Sequence, residues 1–177
     1  MIVCAGEIES FEFAKPIGIG LVDPAINLTS MLLNSDILPK KIIFIGTAGL
    51  YRDGQILEIY ESSQASNIEI SKILDLSYTP LDLSSSNNVS RETYRVNSSN
   101  YITKNSKIAE KFADLGFFIE NMEFYTVLKV AKKFNISAYG IFCATNFCDE
   151  NAHLDFLKNH IFAKKKLINY LKDNKII

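Results

Sequence analysis

Short apolar runs separated by polar or glycine-rich stretches divide the chain into predicted strands. Runs of this character cover residues 1–5, 41–45, 55–60, 91–96 and 137–144. The second reads KIIFI and the last reads SAYGIFCA, and continuous apolar stretches of this length are typical of strands buried on both faces. Because Gly46-Thr47-Ala48-Gly49 follows KIIFI, we expect that strand to stop at Gly46.

Helical spacing of apolar residues occupies much of the chain between these strands. We predict helices at residues 24–33, 106–114, 121–134 and 154–173. The first has Asp23 as its N-cap and Pro24 as its first residue, and Gly116 terminates the second. The polar stretch 67–88 is predicted to be a surface loop. Strands that alternate with helices indicate an α/β fold with a mostly parallel sheet and helices on both of its faces.

Composition narrows the class of protein. The 177 residues fit a single domain, 1–177. A net charge of −1 argues against a nucleic-acid binder, which normally has a basic face. No run of roughly 18 apolar residues is present, so no membrane partner is expected. The N-terminus lacks the regions of a signal peptide and the three cysteines are an odd number, which favours reduced thiols and a cytoplasmic location.

The sequence predicts no metal and no organic cofactor. Cys143 and Cys148 lack the CxxC spacing, and only two histidines could complete a zinc site with them. Gly18-Ile19-Gly20 is a GxG sequence but not the GxGxxG of a dinucleotide site, which excludes a Rossmann cofactor.

Polar or glycine-rich segments stand at the expected ends of several strands and helices, where an open α/β sheet usually binds its ligand. These segments are 5–9, 18–20, 46–49, 121–123 and 144–149. Taken singly, each has an ordinary interpretation: a tight turn, a charge at a helix N-terminus, or a solvated carboxylate. Their order and spacing together favour one binding site.

In that order and spacing the segments resemble the nucleoside phosphorylase and nucleosidase superfamily, most closely the 5'-methylthioadenosine/S-adenosylhomocysteine nucleosidases. The family's Gly-Ala-Met-Glu-Glu-Glu, Ser-Gly-Ile-Gly-Lys-Val, Gly-Ser/Thr-Ala-Gly, Glu-Met-Glu and Ile-Ser-Asp-x-Ala-Asp segments correspond in turn to 4–9, 17–22, 46–49, 121–123 and 144–149. The resemblance is strongest over 42–65 and 120–151 and weak over 67–89. It implies a three-layer α/β/α sandwich with a central mixed sheet, and a homodimer whose pockets are completed by the neighbouring subunit.

The resemblance also implies roles for residues that bind the sugar and the nucleophile. Glu123 aligns with the glutamate that holds the ribose 2'- and 3'-hydroxyls, a charge-assisted interaction. Met122 aligns with the methionine that packs under the sugar. Glu9 aligns with the general base that activates water. Gly46 and Thr47 fall in the segment near the anion or water site.

Two further residues are implied to contact the base. Tyr101 falls where the family has an aromatic side chain that stacks on the purine. Asn146 stands where the nucleosidases have an aspartate at purine N7; an amide can donate a hydrogen bond there but cannot deliver a proton. Asn121 likewise replaces the first glutamate of Glu-Met-Glu. Because Glu9 is followed so soon by Gly18, two strands of the family's core have no room, and the sheet is expected to be reduced in size.

Three functions remain open. Hydrolysis of the N-glycosidic bond of a purine nucleoside or thionucleoside is the leading hypothesis, because Phe44 stands where the hexameric phosphorylases place an arginine for phosphate. Thr145-Asn146 resembles the trimeric purine nucleoside phosphorylases and keeps phosphorolysis of a 6-oxopurine nucleoside, with phosphate as co-substrate, as an alternative. A catalytically degenerate homologue that binds a nucleoside or acts as a structural partner is the third.

Overall fold

The computed structural model describes residues 1–86 and 94–177. Its strands are β1 (Ile2–Cys4), β2 (Lys15–Pro16), β3 (Lys41–Leu50), β4 (Ile59–Ser62), β5 (Gln64–Ser66), β6 (Ser84–Ser86), β7 (Val96–Asn97), β8 (Ile119–Glu120) and β9 (Ser137–Phe147). Its α-helices are α1 (Val22–Leu33), α2 (Ile70–Ile73), α3 (Ser106–Asp114), α4 (Phe124–Lys133) and α5 (Ala152–Asp173), and a single 3₁₀ turn covers Glu7–Glu9. No helix in this described part is long and apolar enough to cross a membrane.

The long strands β3 and β9 form the centre of one mixed sheet. They run parallel to each other from Lys41 opposite Ser137 to Leu50 opposite Phe147. The other edge of β9 pairs with antiparallel β4, whereas the first half of β3 pairs with parallel β1 and its last two residues pair with antiparallel β8. From β8 the sheet continues through β7 and β5 to β6. The change of partner along β3 lets the sheet curl.

Helices cover both faces of this sheet, because β3 and β9 alternate apolar side chains between two cores. Ile42, Phe44 and Phe142 face the core beneath α1 and α4, which also contains Leu28 and Phe124. On the opposite face α5 contributes Ala163, Leu167 and Leu171 to a core with Ile45, Ile141 and Cys143. Successive side chains of a strand point to opposite faces, and here both faces are covered by apolar cores. This explains the continuous apolar runs in the sequence. The predicted three-layer α/β/α sandwich with a mixed sheet is confirmed.

Glycine in β9 makes room for the aromatic part of the core. A Cβ on Gly140 would lie 2.5 Å from the ring of Phe142 and 2.9 Å from that of Phe124. These two rings pack edge to face with centroids 5.2 Å apart, and Phe44 lies beside both. This cluster fixes the end of α4 that approaches the functional site.

Several predicted boundaries are wrong. The strand predicted to stop at Gly46 continues to Leu50, because residues 46–50 keep pairing with β9 across a register shift after Ala48. Asp23 is not an N-cap: α1 begins at Val22, and the backbone N–H groups just before it donate to the side chains of residues 100 and 123 instead. The strand predicted at 55–60 begins only at Ile59, as β4. Residues 55–58 form a turn, in which Leu57 has a positive φ of 65°.

Other expectations are met in part. Helices 106–114 and 154–173 are confirmed as α3 and α5, and helix 121–134 begins only at Phe124. The stretch 67–88 was expected to be loop, but it contains α2 and β6 up to Ser86; residues 87 and 88 lie outside the described residues. Of the strand predicted at 91–96 the first three residues also lie outside them, and only Val96 of the remainder is strand, as the first residue of β7.

Candidate functional site

A pocket with a volume of about 290 Å³ lies beside the C-terminal ends of β3 and β9. The 3₁₀ turn, β3, the junction of β8 with α4, and the first turns of α5 all contribute to its walls. The lining residues are Gly6, Glu7, Ile8, Glu9, Ile19, Thr47, Ala48, Gly49, Ile102, Glu120, Asn121, Met122, Glu123, Asn146, Ala152, His153 and Phe156. A site at the carboxyl ends of central strands is the usual place for a ligand in a sheet of this kind.

The Glu9 carboxylate is held against the end of β3. Gly6 has a φ of 109°, which lets the chain turn sharply after β1, and a Cβ there would lie only 3.0 Å from Cβ of Pro16. The 3₁₀ turn that follows brings Glu9 to Thr47, whose backbone N–H donates to Oε1 of Glu9 at 2.8 Å. Glu9 is partly buried. Its donor, Thr47, lies in the part of β3 after Gly46, which the sequence did not predict to be strand.

Glu123 is the most deeply buried carboxylate of the pocket, with 3% of its surface exposed. Its Oε1 accepts a hydrogen bond of 3.0 Å from the backbone N–H of Gly20, which has a φ of 82°. Burial raises the pKa of Glu123 to about 8, and the charge of Glu9 adds to the rise; the hydrogen bonds from Gly20 and from the Asn121 side chain oppose it. Glu123 therefore carries a proton more readily than an ordinary glutamate.

Glu120 is a second buried carboxylate of the pocket wall, and the sequence interpretation missed it. Its Oε1 accepts from the backbone N–H of Thr103 at 2.9 Å, and its Oε2 accepts from the hydroxyls of Thr103 and Tyr51. Burial raises the pKa of Glu120, and these hydrogen bonds partly oppose the rise. The contacts hold the segment that contains Ile102 against the pocket. No local signal predicts them, because the partners lie 17 and 69 positions away in sequence.

The amide of Asn146 is fixed at the end of β9. Its Oδ1 accepts from the Thr145 hydroxyl at 2.9 Å, and its Nδ2 donates to the carbonyl of Phe147 at 3.0 Å. Gly49 lies directly beside it, since a Cβ there would be 3.0 Å from Nδ2 of Asn146 and 2.9 Å from Sγ of Cys148. The second hydrogen on Nδ2 and the second lone pair on Oδ1 are available to a ligand.

Glu9, Thr47, Met122, Glu123 and Asn146, which the sequence singled out, all line this one pocket. Two other predicted residues do not. Gly46 lies behind the wall, where a Cβ would be 3.0 Å from the ring of Phe44. Tyr101 is 73% exposed, and its neighbour Ile102 lines the pocket in its place. The chemical roles of these residues remain predictions.

The start of α5 contributes an aromatic wall that the sequence interpretation also missed. His153 and Phe156 line the pocket with their ring centroids 6.5 Å apart and nearly parallel, and Asn159 anchors the helix by donating to the carbonyl of Thr145 at 2.8 Å. An aromatic pair three residues apart on an amphipathic helix is the only signal that could have indicated it. Within the described residues, no group of three or more His, Cys, Asp or Glu side chains could hold a metal ion.

The curled mixed sheet and the pocket beside its central strands define an α/β fold with one candidate binding site. A scan against protein-family models and a search of the curated proteins both find no match. Solved structures, in contrast, match over most of the chain at low sequence identity, and the likeness establishes the fold: it is that of the 5'-methylthioadenosine/S-adenosylhomocysteine nucleosidases and futalosine hydrolase.

Three of these structures illustrate the likeness. A Helicobacter pylori nucleosidase, an Asp-to-Asn variant with 5'-methylthioadenosine in its active site, matches with a TM-score of 0.76 over 90% of this chain and 78% of that chain, at 19% identity. Futalosine hydrolase from the same organism, also a variant, gives a TM-score of 0.74 over 90% and 77%, at 20% identity. A Francisella philomiragia chain assigned as a 5'-methylthioadenosine/S-adenosylhomocysteine nucleosidase gives 0.78 over 97% and 96%, at 12% identity. The reduced size is therefore shared with one of the three.

Proposed function

We propose that the pocket binds a purine nucleoside or thionucleoside and hydrolyses its N-glycosidic bond. The observation that carries this proposal is that Glu9, Glu123 and Asn146, distant in sequence, line one pocket in a fold whose solved examples include complexes with 5'-methylthioadenosine and 8-aminoadenine. Glycosidic cleavage passes through an oxocarbenium-like ribosyl group. It needs an anchor for the sugar, a hydrogen bond to the leaving base and a positioned nucleophile.

In this proposal Glu123 accepts hydrogen bonds from the 2'- and 3'-hydroxyls of the ribose. Only its Oε1 receives the Gly20 N–H bond, which leaves Oε2 for the sugar. The thioether of Met122, half-buried in the same wall, packs under the sugar ring. Glu123 sits just before the first turn of α4, which fixes its backbone, and the Gly20 N–H bond restrains its carboxylate.

Glu9 acts in this proposal as the general base that takes a proton from the attacking water. The Thr47 N–H bond fixes one carboxylate oxygen at 2.8 Å and leaves the other for the water. Gly46 contributes indirectly, because the absence of a side chain there lets Phe44 pack beneath the strand that carries Thr47. A positioned base of this kind contributes on the order of 10²- to 10⁴-fold to the rate.

Asn146 and Tyr101 would contact the purine. The free N–H of the Asn146 amide can donate to N7 of the leaving base, which is weaker assistance than the proton an aspartic acid could deliver. Tyr101 stacks on the base from the mouth of the pocket in this proposal; it stands next to Ile102, and its exposed ring has room to do so.

Hydrolysis is favoured over phosphorolysis by the charge of the pocket. Among the described residues, none of the pocket-lining side chains is a lysine or an arginine. Arg52 pairs with the carboxylates of Asp53, Glu110 and Asp114, and Arg95 donates to the carbonyl of Leu115. A phosphate dianion would therefore enter a pocket whose charged neighbours are carboxylates, at a substantial electrostatic cost.

A second candidate function is nucleoside binding without turnover. It is favoured by Asn146, because the amide cannot protonate the leaving base. The Helicobacter pylori structure that holds 5'-methylthioadenosine is that of an Asp-to-Asn variant, so an asparagine in that enzyme is compatible with a bound nucleoside.

We also propose a cytoplasmic homodimer. Cys4, Cys143 and Cys148 are free and buried, which agrees with a reducing compartment. Ile8, Ile19 and Ile102 stand at the pocket with 44–48% of their surface exposed, and a neighbouring subunit or an apolar 5'-substituent would cover them. Sedimentation at micromolar concentration tests this: a dimer is expected, and a strict monomer would exclude it.

The catalytic proposal is tested by measuring base release from 5'-methylthioadenosine, adenosine, inosine and futalosine, with and without phosphate. Release without phosphate is expected, with a loss of two orders of magnitude or more in kcat for Glu9→Gln. Glu12→Gln, an exposed carboxylate outside the pocket, is the matched control and should behave as the wild type. Release that requires phosphate would identify a phosphorylase, and saturable binding without release would identify the degenerate homologue.

A further inference from the structure

The side chain of Asn121, in the wall of the pocket, makes three hydrogen bonds to backbone groups. Its Nδ2 donates to the carbonyl of Thr47 at 3.1 Å. Its Oδ1 accepts from the backbone N–H groups of Glu123 and Phe124, each at 3.0 Å. The side chain is buried, with only 5% of the residue exposed. It therefore joins the end of β3 to the first turn of α4, and it supplies acceptors for N–H groups that have none within the helix.

These bonds complete a continuous chain between the two carboxylates of the proposed function. Glu9 accepts from the Thr47 N–H, the Thr47 carbonyl accepts from Asn121, and Asn121 accepts from the Glu123 N–H. At the far end Oε1 of Glu123 accepts from the N–H of Gly20. These hydrogen bonds link four segments of the chain: the 3₁₀ turn, β3, the junction of β8 with α4, and the loop at Gly20. Asn121 stands in the middle of the five residues that make them.

An amide is the side chain that this position requires. The bridge needs a donor toward the Thr47 carbonyl and an acceptor toward α4, and only an amide of this length offers both at fixed positions. An ionised carboxylate has no donor and would set a negative oxygen against the Thr47 carbonyl. It would also add a third charge beside Glu9 and Glu123.

We propose that Asn121 is a positioning residue that sets the separation and orientation of the Glu9 and Glu123 carboxylates, by bridging Thr47 and the first turn of α4. The inference rests on the proposed function for its consequence in catalysis, but the bridge itself can be tested without any activity.

The charged surroundings of Glu123 make an activity-independent test possible. The other titratable groups of the pocket are Glu7 and Glu9 from the 3₁₀ turn, Glu120 from β8 and His153 from α5. Of these, Glu9 raises the pKa of Glu123, while the Asn121 side chain lowers it. Replacing Asn121 by a carboxylate removes the lowering contact and adds a like charge, so the pKa of Glu123 should rise further.

The test compares Asn121→Asp with Asn97→Asp. Asn97 is the control because its amide also donates to and accepts from the backbone, that of Ile68, and it is buried but does not line the pocket; its side chain in addition contacts Tyr51, not Glu9 or Glu123. Titration of the protonated-carboxyl band in infrared spectra, assigned by its loss in Glu123→Gln, gives the pKa of Glu123 directly. Base release from the substrates named above gives kcat and KM as functions of pH.

Asn121→Asp is expected to raise the pKa of Glu123 and to lower kcat/KM by about tenfold to a hundredfold, with the acidic limb of the pH profile moved upward. Asn97→Asp should lower the melting temperature without moving either quantity. Asn121→Ser removes the lowering contact without adding charge; it should lower kcat/KM and move the acidic limb upward by less than Asn121→Asp does, and it replaces the aspartate variant if that one does not fold.

The outcomes separate the bridge from the function. An active wild type with an Asn121→Asp or Asn121→Ser variant within twofold of it would overturn the inference. If the wild type releases no base at all, the proposed function fails, and the infrared titration alone decides the bridge. A Glu123 titration unchanged in Asn121→Asp would then refute it, and an upward shift in that variant, absent in Asn97→Asp, would support it.

Discussion

Glu123→Gln should change the pH dependence of folding by several kcal/mol between about pH 5 and about pH 9. Glutamine is neutral at every pH and keeps an Oε1 that can accept from the Gly20 N–H, so the substitution removes the ionisation and little else. The glutamate, in contrast, has its pKa raised from 4.5 to about 8 on folding, chiefly by burial.

The sign and size of the effect follow from proton linkage. Between those two pKa values the folded state binds more protons than the unfolded state, so rising pH destabilises the fold. The favourable contribution is fully present below 4.5 and is lost as the pH rises through about 8. At 1.36 kcal/mol per pKa unit, the loss amounts to at most about 5 kcal/mol, a large part of the stability of a small domain.

Urea unfolding of both proteins at about pH 5 and about pH 9 measures this loss. The two should agree within about 1 kcal/mol at the lower pH, and the glutamine variant should be more stable by several kcal/mol at the higher pH. Glu58→Gln is the control: Glu58 lies on the surface with a 3.7 Å ion pair to Lys166, and its substitution should shift both values equally. A difference between wild type and Glu123→Gln that stays constant with pH would refute the reasoning.

Three further predictions concern the site. If the ionised Glu123 binds the ribose hydroxyls, nucleoside affinity measured by calorimetry should rise up to tenfold per pH unit until about pH 8 and then level off, and it should be flat in Glu123→Gln. Asn146→Asp should shift preference toward 6-aminopurines and add a pH dependence to kcat; if neither changes in an active enzyme, Asn146 does not contact the base. Thr103→Val removes the hydroxyl bond to buried Glu120 and should lower the unfolding free energy by about 1–3 kcal/mol in urea titrations; an unchanged value would mean that this bond contributes nothing.

The elements that the sequence predicted well are those whose signal is local. KIIFI and SAYGIFCA become the centres of β3 and β9 because alternate side chains enter two apolar cores. Helix α3 has the predicted ends because Asn105 accepts from the Ile108 N–H at one end and Gly116 adopts a φ of 83° at the other.

The elements that it predicted poorly depend on distant partners. Gly46-Thr47-Ala48-Gly49 has the composition of a turn but is strand, because β9 pairs with it along its full length. Glu120 looks like the end of an apolar run, yet its neighbours Thr103 and Tyr51 make it a buried polar centre. For the site, resemblance to the nucleosidases identified residues that line the pocket, whereas the bridge through Asn121 depends on a contact 74 positions away in sequence.

The electrostatics of the pocket fit the proposed glycosidic hydrolysis by water better than attack by an anion. Its acidic side chains are glutamates, and the raised pKa of Glu123 reflects the free-energy cost of holding a negative charge in a buried place, with a smaller contribution from Glu9. A ribosyl group that becomes positively charged in the transition state lowers this cost, so the interaction strengthens as the glycosidic bond breaks. A phosphate nucleophile would raise the same cost before any bond breaks. In the proposed function the nucleophile is water activated by Glu9, which is neutral until it gives up its proton and which these carboxylates would therefore tolerate.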